Sequence, residues 1–216
     1  IAAAAAEADT LGAGVGEADA VQAIGDFPPA RLRVDVYDPA GNKLGAGPIT
    51  SVLGASYRME LDRIGSFAFQ IPAGDEKAEL VAQGNEVRIF REGEGPVFRG
   101  IVDRAEWMVD AEGGLVLSVS GSSIARRLAW ENTLLGRSFE GATLASAVST
   151  LLAGTGWGAG TLHAPVTTIL ARFDGLPTWA ALTKVAEVFG LHLREDPWDA
   201  EVDVGAFGAA SGIVLQ

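Results

Sequence analysis

The 216-residue sequence contains no cysteine. Disulfides, thiolate zinc sites and cysteine nucleophiles are thereby excluded. Histidine is nearly absent too, with only His163, in a loop before a proline, and His192, alternating with Leu191 and Leu193. No H-E-x-x-H motif or paired His/carboxylate spacing surrounds either, so a histidine-based metal centre has no footing. Long apolar runs are missing: Ala2–Ala6 falls far below the roughly 18 residues of a membrane helix. No basic stretch precedes those alanines, so they do not read as a secretory leader. Positive charge is scarce, with 16 Lys and Arg against 28 Asp and Glu and a formal net charge of −12. Such a chain does not grip a phosphate backbone. It can face DNA without sticking to it, although surface solubility alone also explains the acidity.

What is present supports a folded protein. The hydrophobic share of 48% can fill a core, and a charged share of 20% is too low for a wholly disordered chain. The length suits one large or two small domains. Residues 1–29 stand apart: they are rich in alanine and glycine, carry only acidic charge (Glu7, Asp9, Glu17, Asp19, Asp26) and end at Pro28 and Pro29. They read as a linker or a segment ordered by a partner, with a short helix over Glu17–Ile24.

From residue 30 to about 121 the pattern is antiparallel. Leu32, Val34 and Val36 alternate with Arg33 and Asp35, and Phe67, Phe69 and Ile71 alternate in the same way. Asp38–Asn42, Gly93–Pro96 and Asp110–Gly114 are turns. Extended strands are expected at Ile49–Leu61, Glu86–Arg91, Val97–Val109 and Leu115–Ser120, the long one bulged near Gly100, and a helix at Asp75–Ala82. After Gly121 the grammar changes. A helix is expected from Ser122 or Ser123 to Trp130, a second capped by Thr143 and stopped by Gly154, and a third capped by Thr178 and stopped by Gly190. Strands are expected at Leu191–Arg194, Glu201–Phe207 and Ile213–Leu215. The fold class is α+β: a small antiparallel barrel or sandwich over 30–121, then a mixed α/β domain over 122–216.

Chemistry is hard to find. Gly154, Gly156 and Ala159 fit G-x-G-x-x-A, but they follow a helix instead of opening one, so no helix N-terminus meets a pyrophosphate. Asp103 and Glu106 lie three apart on a strand and face opposite ways; Glu195, Asp196 and Asp199 read as a solvated turn. No catalytic residue, metal or cofactor is expected. Of five tryptophans, Trp130 and Trp179 sit on predicted helices and read as core; Trp157 and Trp198, in loops, are the interface candidates.

The order of these segments resembles the baseplate-hub and tail-tip proteins of tailed bacteriophages, relatives of the spike hubs of contractile tails. Phe98, Gly100 and Val102 match the family's F-x-G-x-V/I strand. Leu117, Val119 and Gly121 match its L-x-V-x-G strand, and Ser122–Leu128 its short basic helix. The helix Thr143–Leu152, the loop with Trp157, the helix Thr178–Phe189 and the strand Leu191–Arg194 follow in family order. The resemblance implies a tube-like β-barrel followed by an α/β domain, built into the virion at the tail tip. It implies a homo-oligomeric ring, a trimer with two barrels per subunit, that meets other tail-tip and baseplate proteins, the tail tube and the tape-measure protein. DNA is implied only in passage through its channel. The chain departs from the family at Gln216, before a second barrel fits, so it is expected to be a fragment or to find that half elsewhere. A carbohydrate- or receptor-binding tail module and a tail-associated cell-wall hydrolase stay open as alternatives.

Overall fold

A computed structural model describes residues 31–130, 137–163 and 167–207. The expectations for residues 1–29 and for a strand at Ile213–Leu215 lie outside them.

Seven strands make one sheet: β1 (Leu32–Tyr37), β2 (Lys43–Ile49), β3 (Gly54–Glu60), β4 (Arg63–Pro72), β5 (Glu86–Arg91), β6 (Gly95–Val109) and β7 (Leu115–Ser123). Their order is β2-β1-β5-β6-β7-β4-β3, and every neighbouring pair is antiparallel. The outermost strands, β2 and β3, are consecutive in the chain. Laid flat, a seven-stranded sheet sets its outer strands about 29 Å apart. The connection 50–53 reaches only about 18 Å when extended. The sheet therefore curls, but no ladder joins β2 to β3 among the described residues, so the expected closed barrel is open at that seam. Gly45, Gly47 and Pro48 make β2 a poor template for another strand, which explains why that edge stops pairing.

The alternation seen in the sequence becomes the sheet's inner face. Val34, Val36, Phe67, Phe69, Ile71, Val87, Ile89, Phe98, Leu117 and Val119 fill it, all buried. β6 is long because it serves two partners: its first half pairs with β5 as far as Ile101, and its second pairs with β7 as far as Val109. The ladder slips at Ile89/Phe90 and again at Val102/Arg104, near Gly100 as the sequence suggests, while Gly100 itself stays in register with Val87 and Ser123. The expected helix at Asp75–Ala82 is a short 3-10 helix, Glu76–Leu80, capped by the Asp75 carboxylate, which accepts the Lys77 N–H at 2.8 Å.

Three helices and five short strands follow: α1 (Arg126–Trp130), β8 (Arg137–Ala142), α2 (Leu144–Leu152), β9 (Gly158–Leu162), β10 (Ile169–Phe173), α3 (Thr178–Val188), β11 (His192–Asp196) and β12 (Glu201–Gly205). β8 pairs with β10; β12 lies between β11 and β9, parallel to the latter. α2 begins as expected, the Thr143 hydroxyl accepting the Ser146 N–H at 3.3 Å. α3 does not: Pro177 takes the cap position, and Thr178 is the first helical residue, buried. Leu144, Val148, Leu151, Leu182, Val185, Leu193 and Val202 belong to a second core, which Ile101 of β6 also enters.

Candidate assembly surfaces

The described residues hold no group of three His, Asp or Glu side chains placed to bind a metal ion. The carboxylates singled out by sequence have separate partners. Asp103 accepts the Ser122 hydroxyl at 2.7 Å and pairs with Arg126; Glu106 pairs with Arg104 at 2.7 Å. Asp196 turns its Oδ1 to the backbone amides of Trp198 and Asp199. Gly154 and Gly156 lead from α2 into β9, a strand, so the local geometry lacks the helix start that a pyrophosphate needs. His163 stands edge-on to Phe207.

Glu195 departs from the solvated-turn reading. It is 3% exposed and accepts the Gly65 N–H at 2.9 Å, while its Oε2 is buried without a hydrogen-bond partner. Burial pushes its carboxyl up to about 7, against the pull of the Ser123 hydroxyl and the Gly65 amide, with Asp196 adding to the rise. It belongs to a seam between the turn after β3 and strand β11. Asp62, in the left-handed region at φ 61°, gives its N–H to the Leu193 carbonyl at 2.9 Å. Its carboxylate accepts the Leu193 N–H at 2.8 Å and meets His192 Nδ1 at 2.7 Å. Asp is among the few residues that tolerate that backbone conformation.

A second buried carboxylate collects arginines. Glu86 Oε1 takes Nε–H of Arg99 at 2.7 Å and of Arg88 at 2.9 Å; Arg127 stands 3.5 Å from Oε2. Burial pushes the Glu86 carboxyl up, but the hydrogen bonds from Arg99 and Arg88 outweigh it and hold it below the ordinary range. Glu86→Gln is expected to cost about 2–3 kcal/mol in urea unfolding, less than a sealed pair because the arginines reach solvent. The loss should shrink in acid, where the unfolded carboxyl takes up its proton first and the wild-type advantage fades. A variant as stable as the parent at neutral pH contradicts this account.

Two features of the sheet look outward. Beyond Val102, β6 has no strand on the side away from β7 among the described residues. On that projecting hairpin Trp107, Val109 and Leu115 lie on the inner-face side, in register with the row of Leu117, and are exposed. Leu53, next to the paired Gly54, is exposed at the same end. Core-type side chains thus run on past the point where the core stops, forming an apolar rim. The sequence signal for it is a length mismatch: a strand to Val109 outruns its partners.

The tryptophans are placed differently from expectation. Trp157 is 8% exposed within the second core, and Trp130, at the end of a short α1, is 58% exposed with the Arg126 guanidinium 4.8 Å over its ring. Trp179 is buried as expected, and Trp198 is half-buried against Phe90, ring centres 5.6 Å apart.

No family model matches this sequence, and no curated protein matches it. Solved structures do. A tail protein from Neisseria meningitidis aligns with a TM-score of 0.56 at 22% identity, covering 81% of this chain and 50% of that one. The 43 kDa tail protein of a Shewanella oneidensis prophage aligns at 0.57 and 16% identity, covering 80% and 52%. A prophage tail protein from Listeria monocytogenes aligns at 0.59 and 10% identity, covering 80% and 50%. The chain thus spans about half the length of these proteins. Over about four fifths of its own length, this chain has the fold of phage tail proteins.

Proposed function

We propose that the chain is a non-enzymatic structural component of a phage tail tip or baseplate hub. The observation that carries this is the fold shared with three tail proteins at TM-scores of 0.56 to 0.59. In this reading residues 30–121 form a barrel-like hub domain, residues 122–216 the α/β domain, and residues 1–29 a linker or partner-ordered segment. Copies associate into a closed ring, most simply a trimer, at the end of the tail tube, with tail-tip, baseplate and tape-measure proteins as neighbours. Among the described residues an open sheet seam and an unpaired β6 edge, together with the apolar rim of Leu53, Trp107, Val109 and Leu115, favour association, because each is a surface that a neighbour would cover. An acidic chain suits a channel wall along which DNA slides, since a basic wall would hold it by counterion release.

Native mass spectrometry of the full chain is expected to show a trimer. Trp107→Glu, on the rim, is expected to lower the trimer association constant by roughly tenfold or more, about 1.4 kcal/mol of association, with the melting temperature nearly unchanged. A chain that stays monomeric even in the intact particle, or a ring whose channel is walled by arginine, overturns the reading.

A further inference from the structure

We propose that the outer face of β1, β5 and β6 is the docking site of this chain's own acidic first block, residues 1–29. The face is the reverse of the inner core. Val34, Val36, Val87, Ile89 and Phe98 point inward, so the alternating Arg33, Tyr37, Arg88, Phe90 and Arg99 share the other side. Arg127 joins them from α1 through Glu86, and Lys43 from β2 through its 2.7 Å pair with Asp35.

Charge makes this face unlike the rest of the molecule. Arg33, Arg88, Arg99, Arg127 and Lys43 stand against Asp35 and Glu86, five cations to two carboxylates, a surplus of three. The adjoining Arg91 and Glu94 cancel each other, and Asp196 is turned to backbone amides. Residues 1–29 carry five acids and no base. Removing −5 for the block and +3 for the face from the total of −12 leaves −10 on everything else. The acidic block is repelled by most of the surface and attracted here.

Arg99 donates from all three of its nitrogens, to Glu86 and to the Pro197 carbonyl, so the spare donors on this face belong to Arg33, Arg88 and Arg127. Glu86 offers two oxygens to three guanidiniums, and each guanidinium has five N–H groups. Arg33 has no carboxylate partner among the described residues; its guanidinium lies 5.9 Å over the Phe90 ring. Arg88 is stacked on Tyr37 at 4.0 Å. Arg33 thus keeps its N–H edges open to an incoming carboxylate, while Arg88 gives its Nε–H to Glu86 and has its remaining N–H groups to offer.

Reach agrees with charge. The block joins the fold at Arg31, whose carbonyl accepts the Glu92 N–H, one residue before β1. From the Leu32/Arg91 pair to the Tyr37/Glu86 pair the face is about 17 Å long. The chain from Asp26 to Arg31, extended, also spans about 17 Å, so Asp26 and the acids before it cover the whole face. The tether keeps the local concentration of carboxylates near the millimolar range, so weak, salt-screened pairs suffice. Side-chain pairing of this kind leaves the block's amides unprotected.

The absence of cysteine permits a clean test. A spin label is placed on Ala18→Cys in the full chain, and line broadening is read by NMR at the Trp198 indole N–H and the Arg33, Arg88 and Arg99 amides. At low salt these signals are expected to lose at least half their intensity, and to recover in 0.5 M NaCl. They are also expected to recover in Arg33→Glu/Arg127→Glu, and in a chain carrying Glu17→Gln, Asp19→Asn and Asp26→Asn. Broadening that is absent from this face, or that ignores salt and both charge changes, overturns the proposal. Broadening of an unlabelled, isotope-enriched chain by a spin-labelled second chain also overturns it, because the block then docks on a neighbour.

Discussion

Gly121→Ala is expected to lower the unfolding free energy by about 3 kcal/mol, and the melting temperature by about 6–12 °C. Gly121 lies in β7 between Phe67 of β4 and Val102 of β6. A Cβ there would stand 2.6 Å from the Phe67 ring and inside the contact distance of the Ile101 carbonyl oxygen. The ring can swing aside or be replaced by a smaller side chain, but the carbonyl belongs to the ladder and moves only with its strand. Phe67→Leu should therefore restore part of the loss in the double variant, not all of it. A Cβ added to Gly100 would stand 2.6 Å from both the Phe67 ring and the Ser122 carbonyl oxygen, so Gly100 has the same constraint. Phe67 is held between two bare backbone surfaces, so both glycines of the sequence signature are there for close packing. Thermal melts of the two single variants and the double decide the matter, and a Gly121→Ala chain melting with the parent refutes it.

Glu195→Gln is expected to stabilise the protein at pH 8 and to remove a pH dependence. The folded carboxyl titrates near 7, above the ordinary 4.5. Between those values the folded state holds a proton that the unfolded state has released, so stability falls as pH rises from 4.5 to 7 and is level beyond. The full span is roughly 3 kcal/mol, the worth of a shift of this size. Glutamine keeps the shape, offers its carbonyl to the Gly65 amide and has no charge to bury. Urea unfolding of parent and variant at pH 5 and pH 8 should show a difference that grows with pH. A constant difference would mean that Glu195 is ionised in the fold throughout.

The alternating strands of the sheet were legible because one face of each is buried and the other wet, as at Val34 to Val36 and Phe67 to Ile71. Strands that owe their existence to a distant partner were not. Gly158–Leu162 reads as a loose glycine segment and becomes β9 only by lying parallel to β12. β8 and β10 are short and pair chiefly with each other, and β2 is broken by glycine and proline. The surfaces were harder still. Arg99 and Arg127 lie 13 and 41 residues from Glu86, with no local pattern to announce the meeting. Trp198 stood out as a tryptophan in a turn; the exposed Trp107 did not, because its strand alternates correctly and only its missing neighbour makes it a surface.

The seam between Asp62 and Leu193 also sets an order in time. Gly65 and Glu195 are 130 residues apart. At roughly 5–20 residues per second, a ribosome needs about 6–26 s to travel between them. All seven strands of the large sheet are complete by Ser123, long before β11 emerges. The sheet is thus complete in the chain first, and until β11 arrives the Gly65 amide and the turn at Asp62 lack their partners. The later half arrives as a clasp on a finished surface. The interval before it closes is when the nascent chain is most exposed to the wrong neighbour.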